Sequence, residues 1–117
     1  MLPQTKLDAL IVRHAEVEAR LSSQLAADEF VKLSRELSDL GPVVDTIKTY
    51  RSVSSELSGI EALIDDPNTD SEMRQIADEE RRELRDRLEG LEKQIQLELL
   101  PKDAMDERSA ILEIRAG

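Results

Sequence analysis

Between Val43 and Ile64 the apolar residues Val43, Ile47, Tyr50, Val53, Leu57, Ile60 and Ile64 follow one another at steps of three and four. That spacing lays one stripe along a helix, close to a heptad. A second stripe, Met73, Ile76, Ala77, Leu84, Leu88, Leu91, Ile95 and Leu99, occupies residues 70–100. Between them lies Asp65-Asp66-Pro67-Asn68, dense in turn formers. At a rise of about 1.5 Å per residue the second helix would be roughly 45 Å long, so it needs a partner of similar length beside it. The pattern predicts a long antiparallel coiled-coil hairpin, about 43–64 with 70–100. The same heptads would also suit an intermolecular coiled coil, but the turn at Pro67 already supplies a partner within the chain.

Local signals fill in the rest. Thr69, with Glu72 three residues on, forms a capping box for the second hairpin helix. Asp78–Arg82, Glu83–Arg87 and Glu89–Lys93 are acid-before-base pairs at i,i+4, each contributing about a few tenths of a kcal/mol. Gly90 is the weak point, costing about 1 kcal/mol against alanine. Upstream, Leu7, Leu10, Ile11, His14, Val17 and Leu21 mark a first helix, with Thr5 and Asp8 as its capping start after Pro3. Ser22, Ser23 and Ala26-Ala27-Asp28 interrupt that stripe. A further one runs from Phe30 through Leu33, Leu37 and Leu40 and is expected to end at Gly41-Pro42, since glycine suits a left-handed cap and proline the first turn of a new helix. The fold class is all-α, an elongated bundle of three to four helices.

After Leu100-Pro101 and a polar stretch over 102–108 the period changes to two. Ala110, Leu112, Ile114 and Ala116 fall on one face and Ile111, Glu113 and Arg115 on the other, the pattern of a half-buried strand over 109–117. A lone strand leaves backbone donors and acceptors unpaired. The expected organisation is therefore an N-terminal helical domain, 1–100, and a connector, 101–117, carrying the first strand of a following, absent domain.

Sixteen Lys and Arg against 26 Asp and Glu give a net charge of −10. Such a surface repels phosphate, and no basic run is longer than Arg81-Arg82, which argues against direct DNA binding and against a whole-surface grip on nucleic acid. The absence of cysteine excludes a disulfide scaffold and a thiolate zinc site. The N-terminal stretch has charges scattered through its apolar positions, so it reads as neither a signal peptide nor a membrane span, and a cytoplasmic protein is expected. Phe30 and Tyr50 are the only aromatic residues, too few to stack bases or line a small-molecule pocket.

No residue stands out as catalytic, cofactor-binding or metal-ligating. His14, the single histidine, lies on the apolar stripe of the first helix and reads as a packing or edge-of-core residue rather than a general base. Asp65-Asp66 sits in a turn and Asp78-Glu79-Glu80 on a helix face supplied with arginines, so both read as caps or solvated faces; no metal-binding or phosphate-loop motif accompanies them. No nucleophile elbow surrounds any serine. A catalytic role through His14 and nearby acids is the weakest reading, and no enzyme is expected.

The C-terminal segment carries a resemblance. Leu99-Leu100-Pro101-Lys102-Asp103, Asp106-Glu107-Arg108 and Leu112-Glu113-Ile114-Arg115-Ala116-Gly117 are similar to the end of the N-terminal helical domain of bacterial class I peptide chain release factors, most of all the type that reads UAA and UAG. The likeness extends more loosely to Arg13-His14-Glu16, Leu33-Ser34-Arg35-Glu36-Leu37 and Leu63-Ile64-Asp65-Asp66-Pro67. In that family the strand leads into a Gly-Thr-Gly-Gly-Asp-Glu-Ala stretch, then a codon-reading Pro-x-Thr tripeptide and a Gly-Gly-Gln loop that triggers peptidyl-tRNA hydrolysis; neither the first stretch nor the Gly-Gly-Gln loop occurs in these residues, and the Pro-x-Thr triplets that do, Pro3-Gln4-Thr5 and Pro67-Asn68-Thr69, come before the strand rather than in the codon-reading region after it. The resemblance implies an N-terminal domain that faces the ribosome's GTPase-associated region and is linked to the class II release factor GTPase, within a protein that directs termination at UAA and UAG. The alternative is a free-standing acidic helical-hairpin adaptor whose strand augments a partner's sheet edge.

Overall fold

The computed structural model describes residues 2–100, which form three helices: α1, Gln4–Leu21; α2, Ala27–Asp65; and α3, Ser71–Glu98. The strand expected over 109–117 lies outside the described residues. The molecule is elongated and flat, with extents of 61 × 46 × 19 Å. Its length is set by the 39 residues of α2, which at about 1.5 Å per residue span roughly 58 Å.

Helix α1 runs antiparallel along the N-terminal half of α2, pairing Arg20 with Glu29 and Arg13 with Glu36. Helix α3 runs antiparallel along the C-terminal half, where Arg85 meets Glu61 and Tyr50 meets Glu92. This is the expected hairpin. The three helices converge at the middle of α2, where Leu2, Leu7, Val43, Val44, Ile47, Tyr50 and Ile95 form the principal core. Two seams extend from it. Val17 and Leu33 are buried between α1 and α2, and Val53, Leu57 and Ala77 between α2 and α3.

Gly41-Pro42 does not end a helix: α2 passes straight through it. Proline lacks the N–H that would bond the carbonyl of Ser38, a loss that disfavours an interior site by about 3 kcal/mol. Packing outweighs it here. Stopping at Gly41 would break the register that buries Val43, Val44 and Ile47 together. The residue before a proline is normally driven from helical geometry by a clash with its Cβ; Gly41 has no Cβ, and its φ is not positive. The pair expected to break the helix thus contains the residue that lets proline remain inside it.

The helix ends also differ from expectation. Helix α1 begins at Pro3 rather than through a Thr5–Asp8 cap, with the Pro3 carbonyl accepting from the N–H groups of Lys6 (3.0 Å) and Leu7 (3.2 Å). At its far end the Ser23 hydroxyl donates to the Arg20 carbonyl at 2.7 Å and Ser22 to that of Glu18 at 3.2 Å, satisfying acceptors that a helix terminus leaves open. The cap of α3 is Asp70, whose Oδ1 accepts from the Met73 N–H at 2.8 Å. Thr69, expected in that role, instead donates its hydroxyl to the Leu63 carbonyl at 2.7 Å and closes the turn.

Candidate functional site

The helical pattern leaves α2 flanked by one helix along each half, so the surface is built from charged outer faces and shallow inter-helix grooves. Several carboxylates are engaged across a seam or along a helix turn. Asp78 binds Arg81 and, at 3.0 Å, Arg82; Glu61 binds Arg85 at 3.0 Å; Glu89 binds Lys93 at 3.6 Å; Asp8 binds Arg51 at 2.7 Å. Two of the three expected pairs on α3 are thus present. Glu83 and Arg87 form no ion pair among the described residues.

Arg13 grips Glu36 with two nitrogens, Nε on Oε2 and Nη2 on Oε1 at 2.7 Å. The hydrogen bonds, then the charge of Arg13, hold the Glu36 carboxyl below its ordinary range despite partial desolvation, and the same contact raises the Arg13 guanidinium above its own. Tyr50 is buried, and its hydroxyl donates to Glu92 at 3.3 Å. Burial first, then the Glu92 charge, pushes the phenol up.

The side chain of His14 is 16% exposed, and its Nδ1 lies 2.8 Å from Glu18 Oε1, an i,i+4 contact on one helix. This is the half-buried edge position expected for it. Asp66 closes the turn, its Oδ1 accepting from the Asn68 N–H at 2.9 Å. The hydroxyls of Thr46 and Thr49 donate to the carbonyls one turn back, at 2.9 and 3.1 Å. Among the described residues no group of carboxylates or histidine is arranged to hold a metal ion, and no helix is long and apolar enough to cross a membrane.

Open grooves lie along the α2–α3 seam. One, about 650 Å³, runs beside Ile64, Ser71, Arg74, Gln75, Asp78 and Arg82 near the hairpin turn. Arg74 reaches out of it to donate to the Asp66 carbonyl at 2.8 Å, tying α3 to the turn. On the seam, Glu56, Glu80, Glu83 and Leu84 line a depression of about 230 Å³. The next depression, about 260 Å³, is lined by Lys48, Thr49, Ser52, Val53, Glu56 and Arg87. Charged walls and open mouths suit these grooves to protein contacts rather than to enclosing an apolar small molecule. That these glutamates line one depression was not apparent from sequence, because Glu56 comes from a different helix; the three-and-four spacing could have revealed only Glu80 with Glu83.

No solved structure matches the chain. Residues 10–117 match the model of the PCRF domain, the peptide chain release factor domain, which takes in the last two thirds of α1, all of α2 and all of α3. With nearly the whole chain inside that match, the protein belongs to the peptide chain release factor family, whose role is in translation termination.

Proposed function

We propose that this chain is the N-terminal, ribosome-facing domain of a bacterial class I release factor of the type that directs termination at UAA and UAG. It acts as a binding arm in the cytoplasm and not as an enzyme. Its partners are the ribosome's GTPase-associated region and the class II release factor GTPase. The observation that carries this reading is the family match over residues 10–117. The form of the domain supports it: an elongated body 61 Å long spans distance, and its open charged grooves offer contact surface. The assignment to UAA and UAG draws on the likeness of Leu99-Leu100-Pro101-Lys102-Asp103 and Leu112-Glu113-Ile114-Arg115-Ala116-Gly117 to that type.

Ribosomes carrying peptidyl-tRNA and stalled at UAA, UAG or UGA provide the test. The chain alone is expected to bind all three complexes and to release peptide from none. A full-length factor that includes this domain is expected to release at UAA and UAG but not at UGA. Peptide release by the chain alone would overturn the binding-arm role, and failure to bind ribosomes would overturn the ribosome-facing role.

A further inference from the structure

Met73 and Ile76 are large apolar residues left 47% and 54% exposed on α3. Continuing along that helix at steps of four and three brings Glu80 and Glu83 onto the same face. There they meet Glu56 of α2 around Leu84. Unlike Asp78, Glu61 and Glu89, these three glutamates make no ion pair or hydrogen bond among the described residues. Further along the seam, Arg87 lines the following depression with Lys48 and Glu56 and forms no ion pair either among the described residues. One face of the hairpin therefore runs from an apolar pair, through three glutamates lining one depression, to two cations.

We propose that this face docks a cationic segment of a protein partner. An aliphatic or aromatic side chain of the segment seats against Met73 and Ile76, and its Lys or Arg residues lie over Glu56, Glu80 and Glu83. Charge complementarity selects this occupant. Bringing like charges together costs energy that a cationic ligand recovers. A phosphate backbone would meet three carboxylates and be repelled. A second copy of the chain would bring its own net charge of −10. A metal ion is not favoured, since no three of the described carboxylates are grouped to hold one. The inference deepens the reading of the domain as a binding arm and rests on it for the kind of partner, a protein rather than a small ligand.

A short amphipathic peptide of leucine and lysine is the probe, titrated against the isotope-labelled chain and followed by amide chemical shifts. The shifts are expected to concentrate on Met73–Leu84 and around Glu56. Glu80→Lys combined with Glu83→Lys should weaken binding about tenfold or more; the charge-matched pair Glu16→Lys with Asp28→Lys should not. Met73→Ser with Ile76→Ser should also weaken it. All these positions are exposed, so the fold is retained, which circular dichroism checks. Equal binding by both charge-reversed pairs, no effect of the serine pair, or shifts centred on α1 would overturn the inference. The same variants on ribosomes separate it from the broader reading. Ribosome binding that ignores Glu80→Lys/Glu83→Lys leaves the binding arm intact and removes this face from it. Peptide docking here without any ribosome binding does the reverse.

Discussion

Arg13 of α1 holds Glu36 of α2 through a two-nitrogen clasp, Nη2 to Oε1 at 2.7 Å with Nε on the other oxygen. Side chains half-exposed in this way contribute little as isolated ion pairs. The clasp matters because α1 packs along α2 and is not paired with α3, so beyond its N-terminal end, where Leu7 joins the three-helix core, its attachment rests on an apolar seam around Val17 and a few such pairs. The depressed pKa of Glu36 gives this contact a pH signature. Its stabilisation is present above the ordinary carboxylate range and is lost as pH falls through the folded-state value. Acid unfolding of Glu36→Gln, followed by circular dichroism, is expected to show a shallower loss of stability on the acid side than the parent chain. An unchanged acid limb would mean that the clasp does not hold α1.

Tyr50 gives the opposite limb. Its folded-state pKa is raised, mainly by burial, so its contribution is complete below the ordinary phenol pKa of about 10 and lost as pH rises through the folded value. With one tyrosine and no tryptophan, the chain reports this titration directly through tyrosinate absorbance. The absorbance midpoint should lie above that of a free tyrosine peptide, and Tyr50→Phe should flatten the alkaline loss of stability. A midpoint at the free value would contradict the buried position.

Ile47 and Ile95 are fully buried where the three helices meet. Truncating either to alanine removes transfer energy and leaves a cavity, at a cost of about 2 to 5 kcal/mol. Ile76→Ala, on the exposed flank of α3, is expected to cost well under about 1 kcal/mol. Urea unfolding of the three variants should give that order, and equal losses at Ile76 and Ile95 would place the core elsewhere.

Gly90 sits inside α3 with open space where a Cβ would stand. Gly90→Ala is therefore expected to stabilise the chain by about 1 kcal/mol through helix propensity. Asp70→Ala should cost about as much, because it removes the one side-chain cap of α3. Thermal unfolding midpoints that move up for the first and down for the second would agree with this.

How far the fold could be read from sequence follows from where its information lies. The hairpin was legible because its register is written within each helix: Ile47, Tyr50, Val53 and Leu57 recur at three and four along α2 and are buried, as is Ile95 of α3. Val44 was not legible, although it is fully buried, because it lies off that stripe, in the three-helix core around Leu7, Ile47 and Ile95. Leu2 escaped for the same reason, since it precedes any periodic pattern yet joins that core. Met73 and Ile76 fit the periodicity and are nevertheless exposed, because Ala77 takes the contact with α2 and leaves Ile76 on the flank. The acidic depression depends on Glu56 lying beside Glu80 and Glu83, a proximity created only when the hairpin closes.

Gly41-Pro42 supplies the last prediction, because there a local rule was overruled by distant contacts. Pro42 is exposed and inside α2, so replacing it by alanine disturbs no packing and returns a donor to the Ser38 carbonyl. The folded helix gains up to about 3 kcal/mol. Against this, the unfolded chain regains freedom that proline had removed, about 1 kcal/mol. The balance for Pro42→Ala is a stabilisation of about 1 to 2 kcal/mol, read from the urea midpoint at constant slope. Gly41→Val should do the reverse, since a branched Cβ before proline is driven from helical geometry and would pull Val43, Val44 and Ile47 out of register. A destabilised Pro42→Ala would show instead that α2 depends on its proline, and a neutral Gly41→Val would show that the missing Cβ is not what lets the helix continue.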